Sequence, residues 1–186
     1  MNGAINEHYG LHRLCCRCPP RLCSGDGMIQ VKLKRLHHDA ILPHQGTEGS
    51  VGYDLHAYIL SSSGRPDKKI IGAKTTMNIP TGIAIEAPDG YFTAVCSRSG
   101  LAKDSLSVCN SPGIVDPDYR GEIRVLLYNG GYEWRTIHHE DRIAQLVFFP
   151  AIYANLIEVP ELSQTERGEK GLGSTGGVSE HTDRSS

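Results

Sequence analysis

The chain has 186 residues, a formal net charge of −2 and 39% apolar residues, the size of one ordinary domain with no general attraction for nucleic acid or membrane surfaces. No run approaches the roughly 20 consecutive apolar residues that a membrane helix requires. Glycine is abundant (21 residues) and aromatics are few (6%), which suits a turn-rich β protein better than a helical bundle.

Residues 1–27 hold four of the six cysteines, Cys15, Cys16, Cys18 and Cys23. CC-x-C-x4-C lacks the paired spacing of a zinc site, and no continuous apolar core marks a secretory signal. The segment reads as a disordered, reduced leader of a cytoplasmic or nuclear protein. Its arginines give a faint organellar-transit character, which Glu7, His8 and the prolines oppose. Met28, where patterned sequence begins, is a candidate functional start.

From Met28, MIQVKLKRL alternates, with Ile29, Val31 and Leu33 on one face, as a half-buried strand does. GSVGYDLHAYIL is a second strand, and KKIIGAKTTMNIP leads into IAIEAP. Asp89-Gly90 reads as the turn of a hairpin joining IAIEA to YFTAVCSR. SLSVC, GIV, EIRVLLYN and RIAQLVFFP complete the strands, and SGLAKD carries one or two helical turns with Ser99 as the expected cap. Cys96 and Cys109 read as small buried hydrophobes, and the pairs His37-His38 and His138-His139 as solvated strand or turn residues. The expectation is an all-β, distorted jelly-roll or barrel-like single domain over 28–160 with one short helix. A flexible, glycine-rich C-terminal arm follows over 161–186.

Five blocks carry polar chemistry. GSVGYDL puts Asp54 beside a glycine-loosened strand start, where a plain strand-edge acid is the alternative. SRSGLA joins the Arg98 guanidinium, the Ser99 hydroxyl and Gly100 at a helix start, an anion cradle or an ordinary capped turn. In NSPGIVDPDYRG, Asp116 and Pro117 make good type I turn chemistry, which leaves Asn110 and Tyr119 unexplained. RIAQLVF places the Gln145 amide in an apolar run, where it needs hydrogen-bond partners. RGEKGLGSTGG is not a Walker loop, because Lys170 precedes Gly171 and no helix pattern follows. Arg167, Ser174, Thr175 and the glycines suit either a backbone nest around phosphate or a plain linker.

In this order, GYDLHA, RSGLA, GIVDPDYRG, RIAQLVF and RGEKGLGSTG resemble the five motifs of the homotrimeric dUTPases, over roughly residues 28–176. The resemblance implies hydrolysis of dUTP to dUMP and pyrophosphate, which keeps uracil out of DNA and supplies dUMP for thymidylate synthesis. It implies a trimer whose sites lie between subunits: the Gly113–Gly121 hairpin from one, the phosphate cradle from a second, the arm from a third. Asp116 is then the catalytic residue, activating the water that attacks the α-phosphorus. Arg98, Ser99, Gly100 and Gln145 grip phosphates, and Arg167, Gly173, Ser174 and Thr175 close over them. Asn110, with the backbone at Gly113, Ile114, Val115 and Arg124, reads uracil, and Tyr119 screens the sugar. Mg²⁺ rides on the triphosphate and its waters, with Asp54 in its outer shell only. Asp118 has no catalytic part and reads as a turn or salt-bridge residue.

Two departures from the family pattern stand out. Leu172 replaces an aromatic that stacks on the base, so a weaker arm clasp is expected. Ser97 stands where proline is frequent, with little effect expected. The nearest rival is dCTP deaminase, whose catalytic glutamate would fall at Leu126, a side chain that cannot move a proton. The other rival is a non-catalytic nucleotide-binding module, which retention of Asp116, Arg98 and Gln145 argues against.

Overall fold

The expected β architecture is present in the computed structural model, which describes residues 28–169. The strands are β1 (Lys32–Arg35), β2 (His44–Gln45), β3 (Tyr53–His56), β4 (Lys68–Ile71), β5 (Thr76–Pro80), β6 (Ile83–Glu86), β7 (Tyr91–Cys96), β8 (Leu106–Val108), β9 (Gly113–Val115), β10 (Arg124–Asn129), β11 (Arg135–His138) and β12 (Arg142–Pro150), with α1 at Ser99–Ala102. All named strand pairs are antiparallel. They form a five-stranded sheet, β2-β3-β12-β7-β9, a three-stranded sheet, β5-β10-β8, and the pairs β1-β6 and β4-β11.

Period-2 alternation sets the inward face. In β10, Val125, Leu127 and Asn129 are buried while Arg124 is exposed. Leu55, Ile79, Ile83, Ile123, Ile143 and Leu146 join Val125 and Leu127 in one core, each almost fully buried. Each is worth about 1.5–3 kcal/mol, so a one-residue slip of any central strand would turn its contribution out to water.

Several local expectations give way to long-range pairing. IAIEA and YFTAV are not a hairpin: β6 pairs with β1 and β7 with β12 and β9. The turn at Gly90 (φ 81°) therefore joins two sheets. The same holds for GIVDPDYRG, since β9 pairs with β7 and β10 with β5 and β8. KKIIGAKTTMNIP breaks into β4 and β5 around Lys74, whose φ is 58°. Asn129 seals that break: its Nδ2 donates to the carbonyls of Ile71 and Gly72 at 3.2 Å and of Glu133 at 2.7 Å, and its Oδ1 accepts from Gly131 N–H at 3.0 Å. Sequence alternation does not single out β11, which is recruited by β4.

β1 is exposed at all four positions rather than half-buried, because it borders only β6. Val31, just before it, packs on the core. Cys109 is exposed and Cys96 half-buried, since Cys109 lies in the turn after β8. His139 is not solvated: its side chain is almost fully buried, its Nδ1 accepts the Ile59 N–H at 3.0 Å, and its ring meets Tyr58 edge-on. Tyr58 in turn donates to Asp39 at 2.8 Å, which holds that carboxyl below its ordinary pKa.

The chain divides into two compact units, Met1–Ile152 and Tyr153–Ser186. The described part of the second has no helix or strand and exposes Tyr153, Leu156, Ile157 and Leu162. The leader lies outside the described residues.

His56 is buried, stacks on His44 at 5.2 Å, and its Nδ1 has no hydrogen-bond partner among the described residues. Burial first, then the neighbouring His44, holds its pKa below the ordinary histidine value. The unfolded chain then takes up a proton near pH 6.5, before the folded chain does. The associated stability is complete above that pH and is lost as pH falls toward the folded value. Melting curves should show Tm dropping between about pH 7.5 and 5.5 in the wild type, and dropping less in His56→Asn; equal drops would exclude His56 as the cause.

Candidate active site

The five-stranded sheet assembles the first group of polar residues through an irregularity in β12. Arg142 pairs with His56, Ala144 with Leu55 and Gln145 with Asp54. Two steps along β12 thus match one along β3, a bulge at Ile143. In a regular strand, residues three apart face opposite ways. The bulge restores parity, so Arg142 and Gln145 share a face with Asp54.

That face lines a cleft of ≈ 530 Å³, with Asp54, Arg98, Ser99, Gly100, Arg142 and Gln145 in its wall. Asp54 is buried, and Arg98 grips it with Nε on Oδ1 at 2.7 Å and Nη2 on Oδ2 at 3.4 Å. Arg142 Nη1 reaches the same Oδ2 at 3.3 Å. Two guanidiniums against one carboxylate leave the cleft cationic, suited to an anion. Gln145 donates from Nε2 to the Ser97 carbonyl at 2.9 Å, the backbone bond expected of a strand amide.

Ser99 does not cap α1. Arg98 is the N-cap residue, without a side-chain cap bond, and Ser99 is the first helical residue. Ser99 lines the cleft instead. A side chain at Gly100 would meet nothing within 4 Å, so packing does not demand glycine there and the space stays open to a ligand. Gly52 is different: a Cβ there would stand 2.1 Å from Gln145 Oε1.

A second cleft, ≈ 290 Å³, is lined by Asn110, Ile114, Val115, Asp116, Tyr119 and Arg124, together with Asn78, Glu122 and Leu126. It shares no lining residue with the first. Gly113 lies beneath the Asn110 amide, where a Cβ would come within 2.9 Å of Nδ2. The Tyr119 N–H donates to the Asp116 carbonyl at 3.1 Å, closing the turn around Pro117 and leaving the Asp116 side chain exposed. Tyr119 folds back over Gly121 and its hydroxyl donates to the Glu122 carbonyl at 3.1 Å, which fixes the ring. Asp118 is exposed and makes no ion pair among the described residues.

The dUTPase family model matches residues 38–176. The chain belongs to the dUTPase family. It is 44% identical over 151 residues to the deoxyuridine 5'-triphosphate nucleotidohydrolase of Nautilia profundicola, covering 80% of this chain and 99% of that one. It is 40% identical over 147 residues to the enzyme of the same name from Escherichia phage T5, covering 78% and 98%. Among solved structures, a mutant dUTPase of Staphylococcus bacteriophage 80alpha with dUpNHpp superposes with a TM-score of 0.66 at 24% identity, over 79% of this chain and 98% of that one. This last likeness concerns the fold.

Against the dUTPase motifs, four blocks lie in the two clefts. Of the fifth, Arg167 is exposed in the second unit, and Leu172, Gly173, Ser174 and Thr175 lie outside the described residues. Sequence reasoning missed Arg142, Glu122 and Asn78. Arg142 opens the RIAQLVF block, but three-residue spacing hides its shared face with Gln145. Glu122 and Asn78 hold Arg124: its Nη1 meets Glu122 Oε2 at 2.6 Å and its Nε donates to Asn78 Oδ1 at 2.9 Å. Glu122 Oε1 also accepts the Gly82 N–H at 2.9 Å. Ser97 is more engaged than a neutral replacement for proline, with hydrogen bonds at its N–H, Oγ and carbonyl.

Gly52→Ala should push the Gln145 amide off the Ser97 carbonyl. The obstruction is the end of a flexible side chain, so Tm should shift by only about 1–2 °C, while affinity for inorganic pyrophosphate falls about fivefold to tenfold by calorimetry. Unchanged affinity would show that Gln145 does not shape the cationic cleft.

Proposed function

We propose that the chain hydrolyses dUTP to dUMP and pyrophosphate, in sites formed between the subunits of a homotrimer. The observation that carries the reading is the division into two clefts. The cationic one, with Arg98, Ser99, Gly100, Arg142 and Gln145, suits a phosphate chain. The other has an acid, an amide against the Gly113 backbone and a fixed ring, but its one arginine is held by Glu122 and Asn78. Neither serves a nucleoside triphosphate alone. Apposition of one chain's first cleft to its neighbour's second would supply both, and closed rotational symmetry would repeat the pairing.

Asp116 deprotonates and aims the water that attacks the α-phosphorus; a carboxylate within hydrogen-bond reach suits this role. Holding that water in line removes much of the entropic barrier. Arg98 is preorganised by its two contacts with Asp54, so it needs no reordering as charge develops. The Asn110 amide and the backbone at Gly113, Ile114, Val115 and Arg124 match uracil's N3–H donor between two carbonyl acceptors. Cytosine would leave polar groups unpaired at about 1–3 kcal/mol each. The Tyr119 ring excludes a ribose 2′-hydroxyl by filling its space, since an apolar wall alone rejects a hydroxyl poorly.

Among the described residues no cluster of three or more His, Cys, Asp or Glu side chains is arranged to hold a metal. In the proposed reading Mg²⁺ would be carried by the triphosphate and its waters, with Asp54 in its outer shell. Mg²⁺ there would neutralise phosphate charge. Leu126, in the second cleft, offers no proton shuttle for deamination, and the Glu122 carboxylate is committed to Arg124 and Gly82. Arg167 and the Gly173–Thr175 stretch would close over the phosphates as a lid. Among the described residues no helix is long and apolar enough to cross a membrane; action in the cytoplasm or nucleus is part of the same reading.

Pyrophosphate release should be fast with dUTP and negligible with dCTP, dTTP and UTP, and Asp116→Asn should lower kcat by about 10²–10⁴. No release from dUTP, or an undiminished variant, would refute the mechanism. Refolding an equal mixture of Arg98→Ala and Asp116→Asn chains should restore about a quarter of wild-type activity, because random assembly pairs two intact clefts with that frequency. No recovery, or a monomer by sizing chromatography, would refute shared sites.

A further inference from the structure

Ser97 lies at the end of β7 and lines neither cleft, yet it reaches toward both. Its carbonyl accepts Gln145 Nε2 at 2.9 Å, and its peptide bond leads into Arg98, so the wall of the cationic cleft hangs on its backbone. Its N–H donates to Ser111 Oγ at 3.1 Å. Ser111 follows Asn110, whose amide lies against Gly113 in the second cleft. The Ser97 hydroxyl accepts the Val108 N–H at 2.9 Å, which fixes the residue against the end of β8. Alanine would leave the Val108 N–H without its acceptor, and proline would also have no N–H to give Ser111.

We propose that Ser97 is a positioning residue that couples the two clefts of one chain, setting the base-reading loop at Asn110–Gly113 relative to Arg98 and Gln145. The inference rests on the reading of the clefts as phosphate and base sites. Ser111 and Gln145 share no hydrogen bond; each bonds Ser97 through a different backbone group. Each is thus one hydrogen bond from Ser97, which gives the two sides a short side-chain route in addition to the strand pairing of Gln145 with Cys96 and of Val95 with Gly113. A residue that only supported local folding would give independent effects at the two sites.

The test is a double-mutant cycle in which Ser97 stays intact: Ser111→Ala, Gln145→Ala and the double variant, with dUpNHpp affinity measured by calorimetry. Each single change should weaken binding about fivefold to tenfold, the worth of one hydrogen bond. The double variant should fall short of the product of the two losses by about threefold or more. Ser97→Thr, which keeps all three groups, should bind within about twofold of wild type, whereas Ser97→Ala should weaken binding and reduce the preference for dUTP over dCTP. Losses that multiply, or a wild-type preference in a folded Ser97→Ala, would overturn the coupling. A wild type that binds dUpNHpp but releases no pyrophosphate from dUTP would sink the hydrolytic reading, while the binding cycle still decides the coupling. A wild type that binds no dUpNHpp would overturn both.

Discussion

Gln145 stands opposite Asp54 on one side and Cys96 on the other, and that double register is the constraint on which the cationic cleft depends. β12 is the middle strand of its sheet. Its pairing with β3 presents Asp54, and its pairing with β7 delivers the chain into Ser97 and Arg98. The buried faces of Leu55, Val95 and Leu146 lock the register, because a slip by one residue would expose them all. The hydrophobic core thus does chemical work at a distance: it holds a carboxylate where two guanidiniums can share it.

The bulge at Ile143 is a small exception to the sheet that lets one short block supply both an arginine and an amide. Without it, Arg142 would sit on the face of Ile143's buried neighbours, where an unpaired charge is costly. The bulge lets Ile143 and Ala144 both enter the core while Arg142 and Gln145 both face the cleft. Glycines finish the arrangement from outside: Gly52 gives way to Gln145, and Gly121 to Tyr119. At both positions an added side chain would displace the neighbouring polar side chain from its place in the cleft.

Much of the fold was legible because alternation is a local signal. Most strands were read from it, and the family resemblance was written in short contiguous blocks. What was not legible depended on partners distant in sequence. The turn chemistry at Asp89-Gly90 is genuine, but the choice of strand partner is made by the core, not the turn. β11 exists because β4 needs a neighbour. His139 looked like a surface residue because nothing nearby in sequence shows that the Ile59 N–H needs an acceptor. In the candidate site, Asn110 and Tyr119 were visible as residues that the turn chemistry of Asp116 and Pro117 left unexplained. Glu122 and Asn78 were not, since no motif marks them and their part in the cleft shows only once Arg124 is seen held between them.

The separation of the two clefts has a further consequence. If each chain carries only halves of two sites, catalysis becomes a function of protein concentration as well as substrate. Dilution below the assembly's dissociation constant would silence the enzyme without altering a bond within any subunit, and substrate bridging two chains would resist that dissociation by mass action. The surfaces that bring chains together would then answer to selection as strictly as the residues that touch the nucleotide.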